Sequence, residues 1–436
     1  MIRKIITAFI LILTISSPIY AQDNILDIKK AVEITLEKNA SLRSLREEIR
    51  KAEAFRLKAD GTWLPSVRAT GQMSKQKEPV ITTDNPNKQD TKSATAILSQ
   101  TLYSGGKDSA IRRQASQKKN IAQLMIENGE NSVIGELFAK FYSVLLNKEK
   151  IVSAQSSVKT SELHLKQVRK MSELGLANKL DIIRAAQQFA KNTAELSTAQ
   201  GRYEASFIAL KNYMALTPDS NLVISSDLSV PEPNGDKTKS ISLAKEHRAD
   251  FKQLQEELKL YGNQISIEKS GLIPTVTFNA TGGRINPYAR HDTNGDTWKA
   301  DITVSVPIFD KNITRSNVMT ATADLNKSKI SKEQKELDIL SEVETAWTEI
   351  GISSKHLTAS KKSLDLAKES LRLAQVGYEE GVTPQIDLLQ AQTTYTEATS
   401  EYITSKYNHL ITIVALKMTE GNIKDWVRGS DFNEIH

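Results

Sequence analysis

The sequence repeats at a separation of 206 residues, so that most of the chain consists of two copies of one structural unit. The segment from Gly175 to Asp181 aligns with the segment from Gly381 to Asp387. The same separation relates Tyr103 to Phe309. A duplication of this length restricts the possible folds, because the supersecondary structure of the first copy should recur in the second.

The repeat divides the chain into five segments. The linker between the copies contains Pro218, Pro231 and Pro233, residues typical of turns. The C-terminal tail is polar and is expected to be loose. The predicted segments are a signal peptide at 1–21, a first repeat at 22–216, a linker at 217–239, a second repeat at 240–418 and a tail at 419–436.

The N-terminus has the features of a secretory signal peptide. Arg3 and Lys4 precede an apolar run from Ile5 to Ile15, and Ala21 is a small residue at the cleavage position. The alternative, a retained membrane anchor, needs about 20 apolar residues, and the run is shorter. Removing the segment leaves 56 Lys and Arg against 52 Asp and Glu, a net charge of +4. Because these charges are interspersed along the chain, they do not indicate a nucleic-acid surface.

Each copy contains two segments with the period-two alternation of β-strands. In the second copy the apolar positions are Ala300, Ile302, Val304, Val306 and Ile308, and the partner strand starts at Thr275. In the first copy the alternation is weaker, because Gln100 interrupts it. Polar loops are expected at 74–92 and 284–296. The predicted order of elements in each copy is helix, strand, strand, long helix, shorter helix.

Four strands per chain cannot close a membrane barrel, because the smallest have about eight. An open sheet edge in lipid would leave backbone groups unpaired, so closure requires several chains. Two would give eight strands with a filled lumen, and three would give twelve with a conduit.

The aromatic residues near the strands fall into two groups: Trp63, Tyr103 and Phe309 at one end, and Tyr288 and Trp298 at the other. This arrangement is typical of aromatic girdles. The alternative is a soluble sheet with ordinary core aromatics.

Two segments without proline predict helices of unusual length. No proline occurs at 107–174 or 314–380, and the whole chain has only 11 proline and 19 glycine residues. At about 1.5 Å per residue, each helix could extend on the order of 100 Å. A seven-residue apolar spacing, as in Ile182, Phe189 and Leu196, predicts coiled-coil hairpins. Each helix alone could be an ordinary amphipathic core helix, but the same register recurs in both copies.

No catalytic constellation is present in the sequence. The 6 histidines lack metal-ligand spacing, there is no cysteine, and common hydrolase, zinc-protease and phosphate-loop motifs are missing. Gly105 and Gly106 resemble part of a nucleotide loop, but glycine there also permits the positive φ needed to turn from strand into helix. We therefore expect no enzyme activity, no metal, no cofactor and no nucleic-acid partner.

Together these features resemble the TolC-type outer membrane efflux protein family. The resemblance rests on L-Y-S-G-G-K at 102–107, on the paired G-x-x-x-x-x-D segments at two hairpin tips, on the duplication and on the signal peptide. It implies a mainly α fold with a β-barrel: a homotrimer whose twelve-stranded barrel, four strands per protomer, crosses the outer membrane and continues as an α-helical tunnel into the periplasm. It also implies a periplasmic adaptor protein and an inner-membrane pump of RND or ABC type as partners.

The resemblance further implies a gate at the periplasmic end of the tunnel. Asp387 matches an aspartate ring that narrows the tunnel, whereas Gln390 stands where a second acidic ring would be. Tyr378 matches a tyrosine that links to an aspartate of the neighbouring hairpin, here Asp181. Thr383 replaces the gate arginine, which puts the charged half of that latch in question. On physical grounds a ring of Asp387 carboxylates would favour cations; alternatively, both aspartates merely cap the returning helices.

The hairpin tips are the expected docking sites for an adaptor. They comprise Gly175, Leu176, Gly381 and Val382, although turn formation alone would also require small residues there. Because the sequence offers no nucleotide or ion-coupling site, we expect a passive exit duct that opens when an adaptor engages the tips. The alternative function is a soluble periplasmic coiled-coil scaffold or adaptor without a pore.

Overall fold

The computed structural model describes residues 25–77, 88–220, 222–224, 228, 235–287 and 295–429. The predicted signal peptide at 1–21 and Tyr288 lie outside these residues, as do parts of the predicted linker and tail. None of the helices in the described ranges combines the length and hydropathy of a membrane-spanning helix.

Both halves of the chain form the same succession of elements. The first half contains β1 (Ile25–Leu26), α1 (Ile28–Lys38), α2 (Ala40–Gly61), β2 (Ser66–Lys77), β3 (Lys88–Tyr103), α3 (Lys107–Glu173) and α4 (Lys179–Tyr213). After β4 (Val223–Ile224), the second half contains α5 (Lys237–His247), α6 (Ala249–Lys269), β5 (Thr275–Pro287), β6 (Gly295–Ser305), α7 (Ile313–Glu379), α8 (Gln385–Glu420) and α9 (Ile423–Arg428). The helix expected before each strand pair is therefore divided in two. In the first half Asn39 causes the break, since its side chain accepts hydrogen bonds from the N–H groups of Ser41 and Leu42 and so starts a new helix.

The strands β2, β3, β5 and β6 form one antiparallel sheet in that order. The register pairs Leu98 with Val67 and Ala280, and Ala280 with Ala300. Because side chains alternate between the faces of a strand, the paired rows place most apolar residues on one face. The other face is polar: Asn279 accepts a hydrogen bond from Ser99 at 2.9 Å.

The strand ends differ from the sequence prediction in two ways. β6 ends at Ser305 rather than Ile308, because Pro307 has no N–H to add to the ladder. In the first copy the strands run further into the expected loop 74–92, because Gln76 still pairs with Gln89 after the apolar alternation has ended. Gln100, which interrupts that alternation, donates a hydrogen bond to the carbonyl of Trp63 at 2.7 Å.

β2 and β6 are the two edges of the sheet. Within the described part of the chain, β2 pairs only with β3 and β6 pairs only with β5, so each has one side without a neighbouring strand. Apolar side chains on both edges are exposed, Val67 by 72% and Ile302 by 63%. A single chain therefore leaves both backbone hydrogen-bonding groups and an apolar face without a partner.

The two long helices confirm the predicted hairpins. α3 and α7 each contain 67 residues, a length of about 100 Å. α3 packs against α4 and α8, and α7 packs against α8. The α3–α4 and α7–α8 hairpins consequently lie side by side and form a row of four helices in the order α4, α3, α8, α7.

The main core lies where α1 and α9 meet the middle of α3 and the C-terminal parts of α4 and α8. Phe138, Phe141 and Tyr142 of α3 are fully buried there. The tail was expected to be loose, but its first part forms α9, whose Ile423 and Val427 are buried in this core. The spacing of four residues between those two apolar positions is typical of a helix with one buried face, and it was the relevant sequence signal rather than the overall polarity of the tail.

A cluster of charged residues joins α6 to α7. Arg248, which precedes α6, donates to Asp250 at 2.8 Å and to Glu342 of α7, and Lys335 of α7 lies 2.8 Å from Asp250. Burial alone would raise the pKa of Asp250, but hydrogen bonds and charges from Arg248 and Lys335 outweigh it and lower that pKa to about 2. The ionised cluster therefore stabilises the packing of α6 on α7.

We predict that Asp250→Ala lowers the free energy of unfolding by about 2 kcal/mol at pH 7. Because the folded state lowers the Asp250 pKa from 3.8 to about 2, this contribution is present above pH 3.8 and is lost as the pH falls through about 2. Apparent melting temperatures of the detergent-solubilised protein between pH 7 and pH 2 measure it. The exposed Asp324→Ala variant is the matched control; equal melting temperatures for both variants would contradict the prediction.

Candidate functional site at the hairpin tips

Each helical hairpin ends in a tight turn around a glycine. Gly175 between α3 and α4 has φ +76°, and Gly381 between α7 and α8 has φ +77°. The next residue closes the turn: the N–H of Leu176 donates to the carbonyl of Met171, and that of Val382 donates to the carbonyl of Gly377, both at 2.8 Å. This left-handed conformation favours glycine, so both glycines are required by the turn itself.

The tips carry exposed apolar side chains at equivalent positions of the two copies. Leu176 is 70% exposed and Val382 76%. Leu180 and Ile386, which also align between the copies, are each 52% exposed, and Leu174 is 74% exposed. Clustered apolar side chains at the end of a long helical structure are typical of a surface that binds another protein.

The two candidate gate aspartates have different surroundings. Asp181 belongs to a capping box: its N–H donates to Asn178 Oδ1 at 3.0 Å, and its carboxylate accepts from the N–H of Asn178 at 3.2 Å. Asp387 is exposed, and its carboxylate makes no hydrogen bond within the described residues. Pro384 precedes α8 without a side-chain cap. The capping interpretation therefore fits Asp181 and does not fit Asp387.

The other residues of the expected latch lie at the end of α7, in the turn and on the first part of α8. The hydroxyl of Tyr378 lies 3.8 Å from Met171 Sδ of the other hairpin. Burial, with a smaller contribution from the Asp181 charge, raises the pKa of Tyr378. Thr383 donates its N–H to the carbonyl of Gly377 at 2.9 Å. Gln390 is exposed on α8, one turn beyond Asp387.

The structure adds two residues that the sequence analysis missed. Gln385, 7% exposed, donates from Nε2 to the carbonyl of Asp181 at 3.1 Å and lies 3.2 Å from Nε2 of His164, which is 5% exposed. The His164 ring also packs edge-on against Tyr378, with 5.4 Å between ring centroids. A buried stripe on α3 formed by Ser161, His164 and Val168 has helical spacing, and this stripe could have indicated His164.

The predicted strand-to-helix turn lies at Gly105 and Gly106, with φ of +63° and +85°. In the second copy Lys311 and Asn312 occupy the equivalent positions and have φ of +57° and +64°. The duplication therefore conserves the backbone conformation even where glycine is replaced, although asparagine adopts it more readily than lysine.

The predicted girdle aromatics fall at both ends of the sheet. Trp63, Tyr103 and Phe309 lie near the helices and are 52%, 50% and 78% exposed. Trp298 lies towards the opposite end of β6, is 83% exposed and pairs with Gly282 of the neighbouring strand. Among the described residues, no three acidic, histidine or cysteine side chains come together as a metal site.

A sheet with one apolar face and two unpaired edges, continued by hairpins whose longer helices extend about 100 Å, defines a channel of the barrel-and-tunnel class. The model of the family "Outer membrane efflux protein" matches residues 31–216 and 240–422. The chain belongs to this family. The expected family, fold class and outer-membrane location with a periplasmic helical tunnel are thereby confirmed, and the alternative of a soluble scaffold is not favoured.

Individual relatives are distant in sequence. Nodulation protein T of Rhizobium leguminosarum bv. trifolii is 20% identical over 279 residues, which are 62% of this chain and 59% of that protein. Outer membrane protein TolC of Escherichia coli (strain K12) is 22% identical over 349 residues, 76% of this chain and 70% of TolC. The solved outer-membrane channel OprN superimposes with a TM-score of 0.78 at 20% identity and covers 91% of this chain and 90% of its own.

We predict that Asn178→Ala weakens the start of α4 by about 1 kcal/mol, because it removes the acceptor of the capping box. Amide hydrogen exchange in residues 179–183 should then accelerate roughly fivefold. Gln390→Ala, which removes no cap, should leave exchange in this segment unchanged. Equal protection in both variants would show that the capping box does not stabilise the tip.

Proposed function

We propose that three copies of this chain form a passive exit duct across the outer membrane that opens at the hairpin tips. The pair of unpaired edges, β2 and β6, carries the proposal. Each edge can pair with the opposite edge of a neighbouring copy, which closes the sheet and satisfies the backbone groups. Three chains supply twelve strands and leave a conduit, whereas two would supply eight and fill the lumen with side chains.

The two faces of the sheet suit this closure. The apolar face, with Val67 and Ile302 exposed in the single chain, would face lipid. The polar face would line water, and there Asn279 and Thr303 both donate hydrogen bonds to Asp301. Around the trimer the girdle residues Trp63, Tyr103, Phe309 and Trp298 would lie at the two membrane surfaces.

At the other end of the duct, Asp387 is the best placed gate residue. It is exposed on α8 and unpartnered, whereas the neighbouring Leu388 and Leu389 are buried against the bundle. Three such carboxylates around one axis would attract cations. Gln390, one turn further along, adds a neutral polar ring, and Tyr378 and Thr383 position the turn that precedes α8.

The exposed tips would bind the partner that opens the duct. Each chain offers two nearly equivalent apolar tips, with Leu176 and Gly175 on one and Val382 and Gly381 on the other. We assign these tips to a periplasmic adaptor, which would connect the duct to an inner-membrane pump of RND or ABC type. Transport energy would come from that pump, and the pump would select the cargo.

We predict that Asp387→Ala raises the single-channel conductance of the purified protein in planar bilayers. Removing three charges should also weaken block by divalent cations about tenfold, since three exposed carboxylates contributing about 0.5 kcal/mol each sum to roughly 1.5 kcal/mol. Asp365→Ala, at an exposed position of α7 away from the tip, is the control. Unchanged conductance and block would exclude Asp387 from the gate.

We predict that the double variant Leu176→Asp with Val382→Asp loses adaptor binding. Charges at both tips should reduce the adaptor that copurifies from cell envelopes roughly tenfold, because the buried apolar contact is lost. Glycine variants are less suitable, since the positive φ at Gly381 would also strain the turn.

The matched control keeps the tips apolar with Leu176→Met and Val382→Ile, and it should retain the adaptor. Trimer yield, read from heat-modifiable mobility on gels, should be the same for both double variants. Full adaptor recovery with the aspartate variant would show that the tips are not the docking surface.

A further inference from the structure

One buried polar contact joins the two hairpins of a protomer just above their tips. Gln385 stands at the first position of α8 and reaches across to α4 and α3, where its Nε2 lies 3.1 Å from the carbonyl oxygen of Asp181 and 3.2 Å from Nε2 of His164. Both side chains are more than nine-tenths buried. Of the gate residues inferred from the sequence, Asp181 takes part in this contact through its backbone carbonyl.

The partners fix the protonation state of His164. The carbonyl of Asp181 can only accept, so the amide of Gln385 must present its NH₂ group to it. The same NH₂ group faces Nε2 of His164, which must therefore accept as well. The contact thus requires a neutral imidazole with the proton on Nδ1.

Protonation of His164 leaves this contact without a satisfactory arrangement. A proton on Nε2 would point at the NH₂ group of Gln385, donor against donor. Turning the amide over would bring Oε1 to His164 but would place it against the carbonyl of Asp181, acceptor against acceptor. Oε1 of Gln385 is already buried without a hydrogen-bond partner, so the site holds no spare donor to relieve the conflict.

We propose that His164 and Gln385 form an acid-sensitive link that holds the α7–α8 tip against the α3–α4 tip, and that protonation of His164 releases it. The link rests on the proposed gating at these tips and adds its regulation. His164 and Gln385 act as positioning residues, because they set the place of the helix that carries Asp387 without facing the conduit themselves.

The surroundings of His164 determine the direction of the pH effect. Among the described residues, the titratable groups next to the site are Tyr378 from α7 and Asp181 from α4, and α8 contributes the neutral Gln385. Burial lowers the pKa of His164 below its ordinary value of 6.5. A lowered pKa in the linked state means that the link is fully favoured above pH 6.5. Below pH 6.5 the ratio of released to linked tips rises about tenfold per pH unit until the lowered pKa is reached.

The variants separate this titration from other acid effects. In His164→Gln an amide oxygen replaces Nε2 as the acceptor, and the side chain cannot be protonated. In Gln385→Leu the donor is removed, so the tips should be released at every pH. His356→Gln is the matched control, because His356 is an exposed histidine on α7 whose nearest acidic partner is Glu401 at 3.6 Å. Retained heat-modifiable trimers show that each variant assembles.

The first measurement is tip separation by double electron–electron resonance between pH 7.5 and 4.5. The chain contains no cysteine, so spin labels attach only at Leu176→Cys and Val382→Cys. We expect distances to lengthen and broaden at acid pH in the otherwise wild-type protein and in His356→Gln, and to stay constant in His164→Gln. A pH response that persists in His164→Gln, or one that is missing from the wild type, would overturn the link.

The second measurement is the conductance of the same proteins in planar bilayers over the same pH range. We expect conductance to rise with acidification in the wild type and to be high at every pH in Gln385→Leu. In His164→Gln the increase that depends on protonation of His164 should be missing. Protonation of the Asp and Glu carboxylates changes conductance equally in all these variants, so it does not contribute to the difference between wild type and His164→Gln. Acid-dependent distances without any channel conductance would support the link and contradict the proposed duct, so the two failures are distinguishable.

Discussion

The unpaired backbone groups along β2 and β6 govern the rest of this structure. In lipid each unpaired amide or carbonyl is destabilising by several kcal/mol, and the proposed pairing with strands from other copies would remove this cost. The helices follow directly from the strands through the left-handed turns at Gly105–Gly106 and Lys311–Asn312. In the proposed trimer these turns would pass the circumference of the closed sheet on to the helices, so that pairing at the edges would determine the width of the tunnel.

The two copies of the unit share the same order of strands and helices, but their helices are held together by different core contacts. The main core gathers around Phe138, Phe141 and Tyr142 of α3 together with α1 and α9. The equivalent surface of α7 carries a smaller cluster in which Ile339 and Val343 pack with Phe251, and Trp347 lies at its side. There the charged group of Arg248, Asp250 and Lys335 supplies contacts that a larger apolar core provides in the first copy.

Periodicity in the sequence was sufficient to predict most of the fold. The strand faces, the 67-residue helices and the positions of the tips all follow from alternation, heptads and the repeat, because these patterns reflect burial. The end of β6 and the helix α9 were missed, since they depend on one proline and on two buried side chains of a polar segment. At the candidate site, Gly175 and Gly381 were predictable from turn geometry.

The contact between His164 and Gln385 was not predictable in the same way. Gln385 aligns with Lys179 of the first copy, so the repeat gives no reason to expect a buried amide there. It becomes a contact only because the two hairpins lie side by side, and that arrangement depends on tertiary packing of α3 against α8. At the contact between the two hairpins, residues that differ between the copies therefore indicate which side chains make contacts specific to one copy.

The beginnings of α4 and α8 differ in one further respect. α4 starts with two reciprocal hydrogen bonds between Asn178 and Asp181, whereas α8 starts at Pro384 with no side-chain cap. An anchored helix end resists fraying, and an uncapped one yields at lower energy. Each protomer thus has one capped and one uncapped helical arm, and under the proposed gating at the tips the motion that widens the pore would belong to the uncapped arm of the second copy.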